Sequence, residues 1–456
     1  MAQALRGVIR TGLMVGAAAL PAAAQGLSLP AADPVGLGRG GAQVAYGYSL
    51  EAASANPALL ASLKEPRAFH LAVGVLSMAT QQSLESNQRT RFSTDRNRTL
   101  GAFGAAFRLS PAFTLGFKLD HPYQRNSRLL DDAPSRYLGD GLDLSARRFE
   151  AQGAWALNPN LSIGLGLGAA RLGYEATSVL RLGVPLDPAQ ATSPTNPVQG
   201  LVEQRVGQTG NKVVPSYSLG LRWAISTRWT LGFAHQSGLK GDLDLKAGYR
   251  DARMGLFAND GLSTAPLGTG ARAEGLLGVS TPVPGGGTLE LPSQTTLGLR
   301  HRLGPMVTWE ADLRWTSAGL RMPAFAQVLT PSGPVAAPAD LAQGRSHLGV
   351  GASVEVELGR SWTLRGGLTL DQRYREEAAT EPLLGGAATA GFSLGAGYKV
   401  WGGELSLGYQ YRQSQDQDTR NLVGTWSASG YRTVSADRLR LEGMGHLFAL
   451  GFRKSF

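Results

Sequence analysis

Gly36, Gly38 and Gly41 spell G-x-G-x-x-G, a spacing that elsewhere lets backbone approach a dinucleotide pyrophosphate. That chemistry needs a hydrophobic strand before the glycines and a βαβ unit after them, and the sequence has neither. The glycines read instead as tight turns in a compact segment. The six histidines stand far apart, without H-E-x-x-H or comparable spacing, so no metal centre is expected. Asp131, Asp132, Asp140 and Asp143 carry the oxygen ligands that calcium takes, but lack EF-hand spacing and read as solvated loop carboxylates. No G-x-S-x-G elbow presents a nucleophile. The chain is therefore read as a non-enzyme without cofactors.

The elements behind these residues follow a period of two. Between residues 306 and 316, Val307, Trp309, Ala311, Leu313 and Trp315 share one strand face, while Thr308, Glu310, Asp312, Arg314 and Thr316 share the other. A soluble sandwich would bury the first face, whereas a membrane barrel turns it to lipid. Similar segments recur from residue 67 to the end, roughly fourteen in number. Their connections choose between the two folds. Short turns such as Asn158-Pro159-Asn160 and Leu303-Gly304-Pro305 alternate with long stretches, among them 179–211, 251–290 and 417–442. That alternation is the signature of an outer-membrane barrel, with turns in the periplasm and loops outside. The expected fold is all-β, a roughly 14-stranded antiparallel transmembrane barrel. Trp223, Trp229, Trp309, Trp315, Trp362 and Trp401 fall near strand ends, where interfacial girdles form.

Arg6 and Arg10 precede an apolar run from Thr11 to Leu20, followed by Pro21 and Ala22, Ala23, Ala24. This reads as a secretory signal peptide over residues 1–24, since the run is about half of what a spanning helix needs. The net charge of +10 would raise nucleic-acid binding, but the basic residues are scattered and the chain is exported. They read as lumen charge and as contacts to anionic lipid headgroups. The chain has no cysteine, so its stability must come without disulfides.

Residues 25–66 do not alternate, and the barrel is expected to occupy 67–456. The earlier segment holds Gly36-Leu37-Gly38-Arg39 and, further on, Asn56-Pro57-Ala58. In these two elements, in Gly153-Ala154-Trp155, in Thr288-Leu289-Glu290-Leu291-Pro292 and in the last strand, the chain resembles the FadL family of outer-membrane transporters. The resemblance implies that residues 25–66 form an N-terminal hatch inside the lumen, with Asn56 capping or bridging backbone there. It implies a passive route for hydrophobic compounds, long-chain fatty acids or aromatic hydrocarbons, captured among the outer loops and released when the hatch moves. It also implies an inward kink of the third strand. There Phe113, Leu115, Phe117 and Leu119 face outward, and the strand then meets His121, Pro122 and Tyr123. Proline gives no N–H to a neighbouring strand, so a lateral gate is expected at these three residues. The alternative is a strand that ends at His121.

Met254, Leu256 and Phe257 are expected to form the outer capture surface, being apolar within a long loop. The expected partners are a hydrophobic small molecule, outer-membrane lipid and lipopolysaccharide, and the outer-membrane assembly machinery through the terminal Phe456. No nucleic acid is expected, and the barrel is read as a monomer. A general porin and a barrel lipid hydrolase remain as alternative functions.

Overall fold

Inside a bilayer every backbone N–H and C=O must be taken up by protein, which strands achieve only in a closed sheet. The computed structural model describes residues 33–46, 50–84, 91–128, 140–183, 201–254, 283–323, 328–330, 333–335, 344–374, 386–427 and 430–456. The strands among them are β1 (Arg67–Leu84), β2 (Arg91–Ser110), β3 (Phe113–Arg128), β4 (Gly141–Asn158), β5 (Leu161–Gly183), β6 (Leu201–Ala224) and β7 (Trp229–Gln236). They continue with β8 (Leu239–Met254), β9 (Val283–Leu291), β10 (Gln294–Arg302), β11 (Val307–Thr316), β12 (Val328–Thr330), β13 (Gly333–Val335) and β14 (His347–Leu358). The last are β15 (Trp362–Asp371), β16 (Thr389–Val400), β17 (Gly403–Ser414), β18 (Gln417–Ser427) and β19 (Gly430–Ser455).

Fourteen of these close an antiparallel ring: β1 to β7, β10, β11, β14 to β17 and β19. The closure joins first strand to last, with Ala68 opposite Ser455 and Val73 opposite Leu450. No helix among the described residues is long and apolar enough to cross a membrane.

The period-two reading holds side chain by side chain. On β11, Leu313 and Trp315 are 47% and 46% exposed while Glu310, Asp312 and Thr316 are buried, so the charged face is the interior one. Charged groups stay there because they pair with one another and with residues 33–53, which pack against these faces. Turn chemistry fixes the short connections. Asn158 Oδ1 accepts from the N–H groups of Asn160 and Leu161 at 2.8 and 2.9 Å, and Ser226 Oγ accepts from those of Arg228 and Trp229.

All three expected loops contain strand among their described residues. Residues 179–183 pair with 201–205 at the top of β5 and β6, and residues 206–211 lie within β6. The stretch 251–290 holds the end of β8 and all but the last residue of β9, and 417–442 holds β18 and the first half of β19. Above the membrane no lipid face enforces alternation, so backbone pairing continues where the sequence pattern has faded. Here Tyr123, Leu144, Leu172, Leu239, Leu243 and Leu289 form one buried apolar cluster, where the inward faces of β3 to β5 meet the β8–β9 hairpin.

Candidate functional site

Residues 33–46 and 50–63 are mostly buried against the interior faces of the strands, while Lys64, Glu65 and Pro66 are exposed. Asp33 accepts from the N–H groups of Val35 and Gly36, both at 2.9 Å, and so starts a helical turn, Pro34–Gly38, that buries Gly36, Leu37 and Gly38. Gly40 and Gly41, with φ of +63° and +81°, then reverse the chain. Asn56 bonds on both sides of its amide. Its Oδ1 caps the 3₁₀ turn Pro57–Ser62 by accepting from Ala58 N at 3.1 Å, and its Nδ2 donates to the carbonyls of Val44 and, on β6, Leu221.

Arg39 is fully buried. Its guanidinium meets Glu310 at 2.7 Å and Glu355 at 3.4 Å and lies 4.0 Å over the Tyr46 ring, whose hydroxyl donates to Glu355. Glu310 and Asp312 also accept backbone N–H groups of Ala45, Gln43 and Val44. From Glu355 a chain of ion pairs runs along the wall through Arg365, Glu404 and Arg453, and returns to the lumen segment at Glu51. Arg39 and Glu51, from the two parts of the inserted segment, are thus tied to one network. The sequence marked Arg39 but none of its partners; the available signal was the carboxylates on interior faces of β11 and β14.

Burial opposes ionisation of Glu51, but Arg453 beside it, with His70 further off, outweighs burial and pulls its pKa from 4.5 down to about 2. The stabilisation from this tether is complete above about 4.5 and is lost as pH falls through about 2. Residues 50–62 should therefore resist an acid protease at pH 4 and become cleavable near pH 2. In Arg453→Gln that loss should move to higher pH, and an unmoved profile would show that the tether does not set it.

The ladder of the wall is interrupted between β2 and β3. The β2–β3 ladder stops at Phe103 opposite Leu119. Above it β2 pairs only with β1 and β3 only with β4, and the β3–β4 register slips between Asp120 and Tyr123. The extra residue inverts the faces of β3: Thr114, Lys118 and Asp120 are buried below the slip, and Tyr123, Arg125 and Ser127 above it. The strand does not end at His121. Its Nδ1 lies 2.8 Å from the Gly101 carbonyl and substitutes for the missing ladder bond. The Tyr123 hydroxyl donates to the Pro292 carbonyl. Higher up, Arg98 of β2 reaches Asp143 of β4, which also accepts from Asn126 at 3.0 Å.

Inward of this break lies a cavity with roughly 770 Å³ of empty space, part of it open to solvent, lined by Gln43, Ser54, Asp120, Pro122, Tyr123 and Arg148. A second, with about 460 Å³ of empty space that likewise opens in part to solvent, is lined by Leu320, Tyr374 and Pro292, and Tyr123, Gln294 and Arg314 border both. Arg148 is neutralised by Asp120, at 3.0 and 2.7 Å. Arg314 is not matched in this way. It and Arg412 each stand 3.9 Å from the single carboxylate of Asp371, and an Nη2 of each is buried without a hydrogen-bond partner among the described residues. Sequence reasoning missed this cluster because its members lie on β11, β15 and β17.

Met254 ends β8 and its backbone pairs with Val202, so it belongs to a strand and not a loop. Leu256, Phe257, Asp131 and Asp132 lie outside the described residues. Asp140 accepts from the Thr177 hydroxyl at 3.2 Å, and Asp143 is taken by Arg98 and Asn126.

Solved structures of similar shape include a Pseudomonas aeruginosa FadL homologue, with a TM-score of 0.72, 17% identity and coverage of 95% of this chain and 100% of that one. The Pseudomonas putida toluene transporter TodX gives 0.62 at 12% identity, over 92% and 97% of the chains. The Ralstonia pickettii toluene transporter TbuX gives 0.58 at 16%, over 93% and 98%. No curated protein matches the sequence. Residues 15–456 match the family model described as outer membrane protein transport protein (OMPP1/FadL/TodX), and the chain, an outer-membrane β-barrel, belongs to that family.

Proposed function

We propose that this channel passes hydrophobic amphiphiles with an anionic head, such as long-chain fatty acids, by passive diffusion, and that the lumen segment is its hatch. The observation that carries the reading is the second cavity. It joins apolar lining to Arg314 and to Asp371, the one carboxylate that Arg314 shares with Arg412 behind it, and its neighbour reaches the interrupted wall beside Pro122 and Tyr123. An apolar tail would lie against Leu320 and Tyr374 while Arg314, which lines the same cavity, takes the head. The break would then release the ligand sideways into lipid, where unpaired strand edges persist only beside protein or a cavity. One barrel encloses the whole route, so a monomer suffices.

A neutral aromatic ligand is the second reading, favoured by the two toluene transporters of similar fold. The two separate by affinity. A charge-assisted hydrogen bond is worth about 1.5–3 kcal/mol, so a C16 carboxylate should bind at least about tenfold more tightly than its methyl ester. Arg314→Ala should erase that difference. Equal binding of acid and ester by the unaltered protein would favour the neutral hydrocarbon.

A further inference from the structure

Arg147 of β4 and Arg171 of β5 stand directly opposite each other in the ladder, and both side chains are exposed on the outer face of the barrel. Side chains so placed have Cβ atoms roughly 5 Å apart, and like charges there destabilise the pair. The sequence supplies no relief. The adjacent outward positions are Ser145, Phe149, Ala169 and Gly173, without a carboxylate. The next carboxylates on that face, Asp143 and Glu175, already have partners. Neither arginine pairs with a described residue.

Their height points to what does relieve them. Trp155 of β4 is 41% exposed just above the periplasmic turn, where an inner girdle belongs. From Trp155 to Arg147 the strand climbs eight residues, which at roughly 3.4 Å each and a tilt near 40° is about 21 Å. The apolar band of such barrels is about 25 Å tall. The two guanidiniums therefore lie at the outer headgroup level, immediately above the exposed Phe149 and Leu167.

We infer that Arg147 and Arg171 form a binding site for a phosphate group of the phosphorylated glycolipid of the outer leaflet, lipopolysaccharide, whose acyl chains rest on Phe149 and Leu167. Two planar forks across one phosphate turn mutual repulsion into paired charge-assisted hydrogen bonds. A sulfate or free phosphate would meet the same charges but gain nothing from the apolar seat. Because His121 neighbours Arg147 across the register slip, the lipid would stand beside the wall break.

The test is native mass spectrometry of the detergent-solubilised barrel with added bisphosphorylated lipid A. Retention by the unaltered protein should exceed that by Arg147→Gln/Arg171→Gln at least tenfold, with both barrels showing the heat-modifiable electrophoretic shift of a folded barrel. Lipid A with its phosphates removed should be retained no better by the unaltered protein than by the double variant. Inorganic phosphate at millimolar concentration should not displace lipid A; displacement would mean a simple anion site and would overturn the lipid assignment. Equal retention of lipid A with and without its phosphates would also overturn the proposal, and that comparison needs no variant.

Discussion

Gly367→Leu is expected to convert a closed barrel into an open pore, raising single-channel conductance in planar bilayers more than tenfold. Gly367 is on the interior face of β15, and a Cβ there would overlap the backbone of Arg39 and Gly40. The collision is with main chain, which cannot rotate away, and overpacking of this kind costs about 1–3 kcal/mol or more. It falls on the residue that anchors the inserted segment to Glu310 and Glu355. Adjacent Gly366 supplies the control, because a Cβ there meets nothing within 4 Å, so Gly366→Leu should leave conductance at its original level. Unchanged conductance in Gly367→Leu would mean that the segment does not gate the lumen. High conductance in the unaltered protein would instead make it a general porin.

The second large effect is expected at the wall. The chain has no cysteine, so Gly101→Cys/His121→Cys would place the only two thiols on the facing edges of β2 and β3. His121 already reaches the Gly101 carbonyl, and space around Gly101 is open. Oxidation should pin the edges together and reduce uptake of a hydrophobic ligand to the level of cells without the protein, with recovery on adding reductant. Uptake that ignores the redox state would place the exit elsewhere. Single replacement His121→Ala should act in the opposite direction, since it removes only the ring that caps the carbonyl.

The fourteen ring strands were legible because lipid on one side and charge on the other impose a period of two on every membrane-crossing residue. Leu313, Asp312 and their neighbours on β11 could be assigned to faces without coordinates. The tops of β5, β6 and β19 were not, since water bathes the mouth and either face tolerates Thr177 or Thr209. At the site, Asn56 and Pro122 were readable for opposite reasons. A side-chain amide before proline announces a cap, and a missing N–H announces a broken ladder. Arg314, Arg412 and Asp371 announce nothing locally, because their meaning is a ratio of charges assembled from three strands. Arg147 and Arg171 were similarly silent, although their opposition follows at once when the β4–β5 register is known.

The length of β5, 23 residues, has a consequence for where the molecule meets its surroundings. At roughly 3.4 Å per residue and a tilt near 40°, such a strand rises about 60 Å, against an apolar band of about 25 Å. More than half of the wall around this strand therefore stands clear of the acyl chains, like the rim of a well above ground. A water-avoiding molecule approaching from outside would meet that rim before the densely charged sugars at its base. The mouth thus competes with bulk solvent for the ligand and not with the polysaccharide barrier that the ligand could not otherwise cross.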